Sequence, residues 1–427
     1  METIFALSTP PGKAAVAVIR VSGPGVPEVC RVMCGDLPAP RQVALRVLRG
    51  RSGDRIDEAL VLFFPEKASF TGEAVLELQT HGSRAVIAAV LDELSHVPGL
   101  RQAEPGEFTR RALEHGRLDL TRVEALADLL VAETEAQRRQ AMRGFSGELA
   151  RECAIWREAL LRALALLEVT IDFADEEIPV DVTPEVRALL ADVIERLERQ
   201  IRGVGIAERV RSGFEVAIVG PPNVGKSTLL NRLAGRDAAI TSEHAGTTRD
   251  VIEVRMDLGG LPVTILDTAG LRETRDAVEK IGIARARERA QAADLRVFLS
   301  EKGERFADLA RAGDIHLVAK ADLLDGADGI SGLTGKGIDA LVARLTDILQ
   351  ERASGAGLAT HARHEFAMRK ALMSLKEAHE HLDLGESLTD LAAAEVHSAV
   401  RSLDSLIGRI DVEAVLGEIF SSFCLGK

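Results

Sequence analysis

The sequence predicts a multidomain chain that combines α/β and all-α domains, with one α/β domain inserted into a helical domain. Its 427 residues are about three times the usual ~150 residues per domain. Residues 1–118 alternate short β-rich runs with helical patterns, whereas residues 119–212 and 353–427 are helical and flank a second α/β segment, 213–352. Insertion is tolerated where two chain ends lie close together. We therefore interpret the flanking blocks as one interrupted helical domain, with two separate helical domains as the alternative.

The composition limits the classes of function. Hydrophobic residues make up 46% and charged residues 28% of the chain, an ordinary soluble composition with ample material for a core. A net charge of −13 argues against a broad basic surface that binds nucleic acid by counterion release. We expect no DNA binding, and RNA contacts that are local or supplied by a partner. No stretch approaches the ~18 uncharged apolar residues of a membrane helix, and the start lacks a signal peptide's basic region. We expect a cytoplasmic protein.

The cysteines predict no disulfide framework. There are four, too few for a disulfide scaffold in a chain of 427 residues. Cys30 and Cys34 form a C-x3-C pair, but no second pair is present to complete a zinc site. We interpret them as small buried side chains on a helix.

The N-terminal segment has the pattern of a mixed α/β domain. Four short β-rich runs predict strands at Ile4–Leu7, Ala14–Val21, Ala59–Phe64 and Val75–Gln79. The run Ser83–Leu94 predicts a helix between turn signals.

The two helical blocks show apolar faces at helical spacing. In the first block the predicted faces are Val123, Leu126, Ala127 and Leu130, and then Trp156, Leu160, Leu164 and Leu167. The glycine-containing run 143–147 predicts a break between helices. In the second block the predicted faces are Met368, Leu372 and Leu375, and then Val396, Val400, Leu403 and Ile407.

A phosphate-binding loop opens the inserted segment. The run Gly220–Ser227 matches G-x-x-x-x-G-K-S and lies between a predicted strand, Glu215–Val219, and the helical run Thr228–Ala234. Glycines let backbone N–H groups surround phosphate oxygens, and the helix N-terminus adds a favourable dipole. Lys226 is expected to reach the β- and γ-phosphates, and the Ser227 hydroxyl to ligate Mg²⁺. The expected nucleotide contacts in this stretch are Asn223, Val224, Gly225, Lys226, Ser227 and Thr228.

Two further elements follow in the order expected of a nucleotide hydrolase. Thr247 and Thr248 lie in a polar loop, where a threonine can ligate Mg²⁺ and contact the γ-phosphate. The runs Val251–Asp257 and Pro262–Asp267 predict a hairpin that ends in the D-x-x-G motif Asp267–Gly270. Asp267 can hold Mg²⁺ through water, and the Gly270 N–H can contact the γ-phosphate.

The base-reading motif departs from the usual N-K-x-D. Asp322 follows the predicted strand Ile315–Ala319 and is the expected acceptor for guanine N–H groups, and Lys320 can stack on the base. Ala319 stands where asparagine usually braces the loop. A lost contact of that kind costs about 1–3 kcal/mol. The prediction is GTP, with backbone contacts from residues 331–333.

The residue that orients the attacking water is also altered. Leu271 directly follows D-x-x-G, where several GTPases carry a glutamine. Glu273 and Glu279 are the acidic candidates in the same segment. The Asn223 carbonyl could ligate a monovalent cation against the phosphates, and this cation would supply charge neutralisation.

Distinctive strings run through the chain in a fixed order. They are T-I-F-A-L-S-T-P-P-G at residues 3–12, I-R-V-S-G-P at 19–24, S-F-T-G-E at 69–73, T-H-G at 80–82, P-G-E-F-T at 105–109, L-D-L-T at 118–121, A-G-T-T-R-D at 245–250 and F-C-L-G-K at 423–427. In this respect the sequence resembles the MnmE (TrmE) family of tRNA uridine modification GTPases. The resemblance implies an N-terminal α/β domain that binds tetrahydrofolate and dimerises, and a helical domain interrupted by a Ras-like P-loop GTPase domain.

The resemblance also implies a GTPase cycle for the inserted domain. Hydrolysis would depend on K⁺ and on dimerisation of two G domains. Glu279 matches the family's catalytic glutamate, and Ser227 and Thr248 match its Mg²⁺ positions. The positions that match the family's K⁺ site are Asn223, Ser242, His244 and Thr247. Ser242 replaces the usual threonine, and His244 contributes through its backbone carbonyl.

The resemblance assigns the folate contacts and the partner. Arg20, Glu73, Arg117 and Lys427 match the family's folate residues, with Arg117 in place of a lysine. Cys424 matches the family's C-terminal cysteine, either as a reactive group or as part of an apolar tail anchor. The family acts as a homodimer with the flavoprotein MnmG in a heterotetramer-type complex. Together they modify C5 of the wobble uridine, position 34, of certain tRNAs with a one-carbon unit from 5-formyl- or methylene-tetrahydrofolate.

Two other functions remain open from the residues. One is a regulatory GTPase switch that controls assembly without taking part in chemistry. The other is a folate-binding dimer with a degraded GTPase domain, which Ala319 and a short 301–313 segment would explain.

Overall fold

The structure is a computed structural model of the whole chain. It describes residues 2–172, 181–236, 238–240, 253–267, 287–301, 309–323, 329–384 and 388–410, and the single positions 416, 417, 419, 420, 423 and 426. The chain divides into two compact units. Unit 1 comprises Met1–Ala127 and Leu403–Lys427, and unit 2 comprises Asp128–Ser402.

Unit 1 is built on a six-stranded sheet. Its strands are β1 (Thr3–Leu7), β2 (Val16–Ser22), β3 (Val43–Arg49), β4 (Arg55–Phe64), β5 (Val75–His81) and β6 (Leu100–Gln102). The order is β3-β4-β5-β2-β1-β6, antiparallel except for the parallel β1–β6 pair. The four strands predicted from the sequence are present, whereas β3 and the three-residue β6 were not predicted. The alternating Val, Leu and Arg residues of β3 fit a strand with one buried face only.

Three helices lie in the N-terminal part of unit 1. They are α1 (Val26–Met33), α2 (Arg84–Ser95) and α3 (Glu107–Glu114). The hydroxyl of Ser83 accepts a hydrogen bond from the Val86 N–H and caps α2, so the predicted helix begins one residue later than its first predicted residue. Apolar residues of α1 and α2 pack on the sheet in a common core with Ile19, Leu76 and Leu78.

Long helices make up the next part of the chain. They are α4 (Leu120–Leu130), α5 (Glu135–Phe145), α6 (Glu148–Asp172) and α7 (Thr183–Ser212). The predicted break falls between α5 and α6. The predicted face of α6 is buried, but that of α4 is only partly so, since Leu130 is exposed. The polar residues Thr121 and Glu124 are buried on α4, and the Thr121 hydroxyl donates a hydrogen bond to Asp119. The buried face of α4 therefore differs from the one that the apolar spacing predicts.

Unit 2 carries a second six-stranded sheet. Its strands are β7 (Phe214–Val219), β8 (Glu253–Leu258), β9 (Leu261–Asp267), β10 (Leu295–Ser300), β11 (Ile315–Ala319) and β12 (Gly329–Ile330), in the order β12-β11-β10-β7-β9-β8. Only the β8–β9 pair, the predicted hairpin, is antiparallel. Helices α8 (Lys226–Ala234) and α9 (Ile338–Ala353) pack on this sheet through a shared apolar core.

The helical pattern resumes after α9. Helices α10 (Ala362–Leu384) and α11 (Thr389–Ile407) follow, and α10 packs along α7. Helices from before and after the inserted sheet therefore pack together, as expected of one interrupted helical domain. The predicted multidomain fold class is confirmed. Within the described residues, no helix is both long and apolar enough to cross a membrane.

Candidate functional site

The predicted phosphate-binding loop connects β7 to α8. Two residues in it adopt positive φ, Asn223 at 61° and Gly225 at 107°. Gly220 has no room for a side chain, since an added Cβ would lie 2.5 Å from the carbonyl oxygen of Leu299 on β10. The loop therefore curls tightly at the carboxyl end of a central parallel strand, where α/β sheets commonly bind ligands.

Lys226 lies at the centre of this loop. Its Nζ donates hydrogen bonds to the carbonyl oxygens of Gly220 and Pro221, at 2.8 and 2.9 Å. Burial lowers the pKa of Lys226, and the nearby Asp267 carboxylate partly offsets that effect. The ammonium group is thus held in a largely dehydrated place, where an added anion such as a phosphate would stabilise its charge.

Ser227 and Asp267 come together across the β7–β9 register. Ile218 pairs with Asp267 between these parallel strands, and the Ser227 hydroxyl donates a 2.8 Å hydrogen bond to Oδ2 of Asp267. Oδ1 of Asp267 is buried and has no hydrogen-bond partner among the described residues. A hydroxyl beside an incompletely partnered carboxylate is an oxygen donor set that fits Mg²⁺.

The other expected contacts of this loop differ in exposure. Val224 is buried in the core of the inserted sheet. Asn223 and Thr228 are exposed to solvent beside the loop. Seven expected positions lie outside the described residues, namely Ser242, His244, Thr247, Thr248, Gly270, Glu273 and Glu279.

The predicted base-reading segment follows β11. Lys320 has a φ of 55° and pairs with Glu301 at 2.5 Å, and a hydrogen bond with Ser331 lowers the pKa of Asp322. Ala319 is buried in the apolar core instead of reaching the loop. The lowered pKa of Asp322 favours the ionised carboxylate, which is a hydrogen-bond acceptor.

A different side chain braces this loop. Nζ of Lys336 donates a 3.3 Å hydrogen bond to the carbonyl oxygen of Ala321, and the Ser331 N–H bonds the Lys336 carbonyl at 3.0 Å. Gly332 passes so close to α8 that an added Cβ would lie 2.7 Å from the Leu229 nitrogen. Lys336 was not among the predicted site residues. The lysine sits far from the motif in sequence and no local pattern marks it.

A second candidate site is a pocket of about 640 Å³ in unit 1. Glu73 and Arg117, two of the predicted folate contacts, both line it, together with His115 and Lys67. Nδ1 of His115 lies 2.9 Å from the carbonyl oxygen of Thr71, which orients the imidazole. The pocket therefore combines a carboxylate with basic and imidazole groups.

Arg20 lies apart from the lining of this pocket. Its guanidinium pairs with Glu77 at 2.8 Å and lies 5.9 and 5.8 Å from the ring centres of Phe70 and Phe108. The remaining predicted tail residues, Cys424 and Lys427, lie outside the described residues, although Gly426 accepts a 3.0 Å hydrogen bond from Ser8 on its carbonyl.

Arg111 orders the carboxylate of Glu73 and was missed by the sequence analysis. Its Nη1 donates to both Glu73 oxygens, at 3.1 and 2.9 Å, and its Nη2 donates to Glu107 at 3.0 Å. Ser22 donates a further hydrogen bond of 2.7 Å to Glu73. The i,i+4 spacing of Glu107 and Arg111 was visible in the sequence, but the contact with Glu73, in the segment before β5, was not.

Comparison with known proteins identifies the family of the chain. A model described as "GTP-binding protein TrmE N-terminus" matches residues 3–117, and one described as "MnmE helical domain" matches residues 120–424. Relatives named "tRNA modification GTPase MnmE" cover 100% of this chain and are covered at 100% themselves. Those of Roseobacter denitrificans, Ruegeria pomeroyi and Parvibaculum lavamentivorans are 58%, 59% and 50% identical over 428, 429 and 444 residues. The chain therefore belongs to the MnmE family of tRNA modification GTPases.

Proposed function

We propose that this chain is a K⁺-dependent GTPase, activated by dimerisation, that works with the flavoprotein MnmG in the cytoplasm. Its task is to modify C5 of the wobble uridine of certain tRNAs with a folate-borne one-carbon unit. The observation that carries the GTPase part is the meeting of Lys226, Ser227 and Asp267 at the carboxyl ends of β7 and β9. Domain limits near residues 118, 212 and 352 belong to the same proposal.

In the proposed cycle the chain's own groups bind and orient GTP. The loop N–H groups and Lys226 bind the phosphates, since burial leaves the ammonium poorly solvated until an anion arrives. Asp322 accepts hydrogen bonds from the guanine edge, and Lys336 holds the preceding carbonyl in place. Mg²⁺, held by Ser227, Thr248 and the Asp267 carboxylate, would neutralise charge on the phosphates. Glu279 orients the attacking water.

The proposed K⁺ site is centred on Asn223. Asn223 lies within the phosphate loop with a φ of 61° and is exposed, and this supports a role for its carbonyl-bearing side chain as a cation ligand. Ser242, His244 and Thr247 complete the proposed ligand set. The deciding experiment is GTP hydrolysis in KCl and in NaCl at matched ionic strength, with the association state followed by sedimentation. We expect a large K⁺-specific gain that accompanies association and that Asn223→Ala abolishes.

The proposed folate site is the unit 1 pocket. The Glu73 carboxylate can accept paired N–H donors from a pterin ring, and Arg117 can pair with a tail carboxylate. Arg20 and Lys427 belong to the proposed contact set. We expect 5-formyltetrahydrofolate to raise the thermal midpoint of the whole protein and Arg117→Ala to remove the shift, whereas Arg84→Ala, at an exposed position on α2, leaves it unchanged.

Support for the homodimer comes from the outer face of the unit 1 sheet. Leu45 on the edge strand β3 pairs with Leu60 on β4, and these side chains are 64% and 42% exposed. Val43, also on β3, is 59% exposed. Exposed apolar side chains on an edge strand are a favourable surface for contact with a second copy. We expect Leu45→Lys to shift the sedimentation profile toward the monomer.

One observation favours a second function. Ala319 is buried in the core and leaves no amide at the base loop, as a degraded GTPase domain would. That alternative predicts slow, cation-indifferent hydrolysis and a protein that acts as a folate-binding scaffold. Tight GTP binding with no competition from ATP would exclude it. A pure assembly switch is excluded if 5-formyltetrahydrofolate binds.

A further inference from the structure

Cys30 and Cys34 are adjacent thiols in the core of unit 1. Their sulfur atoms lie 3.2 Å apart, and the Cys30 sulfur is also 3.5 Å from the carbonyl oxygen of Asp36. Cys30 is fully buried and Cys34 is 7% exposed. An exposed loop begins at Gly35, directly after Cys34. The prediction that both are buried is confirmed, but only Cys30 lies on the helix, since α1 ends at Met33, and the sulfur contact was not foreseen.

The backbone at Cys34 makes this contact possible. Two residues four apart on a regular helix have Cβ atoms about 5–6 Å apart. A disulfide requires about 3.5–4.5 Å. Cys34 follows the last residue of α1 and has left the helical conformation, with φ −139° and ψ 7°, and Gly35 then turns the chain at φ 86°. The Cβ atoms of Cys30 and Cys34 are therefore not held at the separation of a regular helix.

The two thiols differ in the direction of their pKa shifts. A hydrogen bond from the Cys34 thiol lowers the pKa of Cys30 against the opposing effect of burial, and the Arg46 guanidinium on β3 lowers it further. The same hydrogen bond, with burial, raises the pKa of Cys34. The lowered pKa of Cys30 favours its nucleophilic thiolate form, and the Cys34 thiol in contact with it can supply the second sulfur of a disulfide.

We propose that Cys30 and Cys34 form a redox-active dithiol that hydrogen peroxide oxidises to an intramolecular disulfide. The Cys30 thiolate attacks one peroxide oxygen, the O–O bond breaks, and the released hydroxide takes up a proton to become water. The Cys34 sulfur then attacks the resulting sulfenic sulfur, the S–S bond forms, the S–O bond breaks, and a second water leaves with the thiol proton. This inference is independent of the GTPase cycle and of folate binding.

The test uses the full chain and hydrogen peroxide as the oxidant. Trypsin cleaves after Arg31, between the two cysteines, and after Arg41. After treatment with peroxide and alkylation of free thiols, we expect peptides 21–31 and 32–41 to be recovered as one linked species, lighter by two hydrogen atoms than their sum. Dithiothreitol should release them. Without the proposed reaction, both peptides stay separate and alkylated.

Variants identify the order of the steps. In Cys34→Ser, Cys30 should stop at a sulfenic acid that dimedone traps, and no linked peptides should form. Cys153→Ser is the matched control, because Cys153 is a buried cysteine of unit 2 and its loss should leave the link intact. Arg46→Leu should slow link formation several-fold, and Arg46→Lys should restore most of the rate.

Three outcomes would overturn the proposal. They are alkylation of both thiols after peroxide treatment, oxidation of either to a sulfinic acid without a link, and a link that joins two chains on a non-reducing gel. The Arg46 variants keep the test valid if a cysteine variant folds poorly.

Discussion

The Ser227 hydroxyl donates a 2.8 Å hydrogen bond to Oδ2 of Asp267. Asp267 is only 3% exposed, and its Oδ1 has no hydrogen-bond partner among the described residues. The contact joins the start of α8 to the end of β9, and the parallel β7–β9 register pairs Asp267 with Ile218, near the end of β7 where the phosphate-binding loop begins. A buried carboxylate that is only half hydrogen-bonded is costly unless a cation completes it.

Replacing this carboxylate should therefore disable hydrolysis. Asp267→Asn keeps the shape and the hydrogen bond to Ser227 but removes the charge, and we expect GTP turnover to fall by roughly one to two orders of magnitude at any Mg²⁺ concentration. Asp339→Asn, at an exposed position on α9, is the matched control. Turnover equal to that of the control would contradict the assignment. Steady-state phosphate release, titrated with MgCl₂, measures the difference.

Lys336 supports the base-reading loop after β11 in place of the usual asparagine, which is Ala319 here. Lys336→Met removes the donor to the Ala321 carbonyl, and we expect GTP affinity to drop about tenfold, equivalent to ~1.4 kcal/mol. Lys336→Arg can still donate and should retain most of the affinity. Titration with a fluorescent GTP analogue measures both. If the two variants bind alike, Lys336 does not support base reading.

Asp322 should determine which base is read. Its hydrogen bond with Ser331 keeps its pKa low, so the carboxylate is ionised and accepts the guanine N–H groups. Asp322→Asn should shift preference from GTP toward xanthosine triphosphate, because the amide offers a donor to the xanthine oxygen. Competition binding with the two nucleotides measures the shift. An unchanged preference would show that base reading is already uncoupled from this loop.

Glu107 should make unit 1 sensitive to acid. Burial alone would raise its pKa. Hydrogen bonds from Arg101, the Glu104 N–H and Arg111 outweigh burial and lower the pKa from 4.5 to about 2. A carboxyl group with a depressed folded-state pKa stabilises the fold fully above about pH 4.5, and this stabilisation is lost as pH falls toward 2. Hydrogen exchange of α3 peptides should show Glu107→Gln less protected than wild type near neutral pH, with the gap closing in acid.

The exposed Glu104 provides the control for that experiment. Its side chain is 67% exposed, and Glu104→Gln should change α3 exchange little at any pH. A gap for Glu107→Gln that stayed constant across the acid range would mean that packing, not charge, accounts for the loss.

A buried ion pair joins β10 to the start of β11. Arg296 and Asp314 have side chains 2% and 0% exposed and make two hydrogen bonds of 2.7 and 3.0 Å. Asp314→Asn leaves the guanidinium without its charge partner, and we expect a loss of about 3–5 kcal/mol in unfolding free energy. The exposed pair Arg289–Glu253 is the control, and Glu253→Gln should cost under about 1 kcal/mol. Urea unfolding followed by circular dichroism compares them.

Local elements were largely predictable from the sequence. The strand before the phosphate loop, the β8–β9 hairpin and the α2 helix depend on alternation, turn residues and caps, which act over a few residues. Strand β3 was missed because Arg46 and Arg49 interrupt its apolar pattern, and only pairing with β4 stabilises it. The face of α4 was partly wrong because hydrogen-bonded polar residues can be buried in place of apolar ones.

Contiguous motifs are enough to predict the family, the order of the domains and the residue types at the nucleotide loop. Which distant groups meet follows from the three-dimensional packing alone. Arg111 reaches Glu73 from another element, Lys336 takes over bracing at Ala321, and the Cys34 sulfur contacts Cys30. Strand register, close backbone approach and the backbone turn at a helix end set these contacts. They depend on packing between segments, which no local sequence pattern encodes.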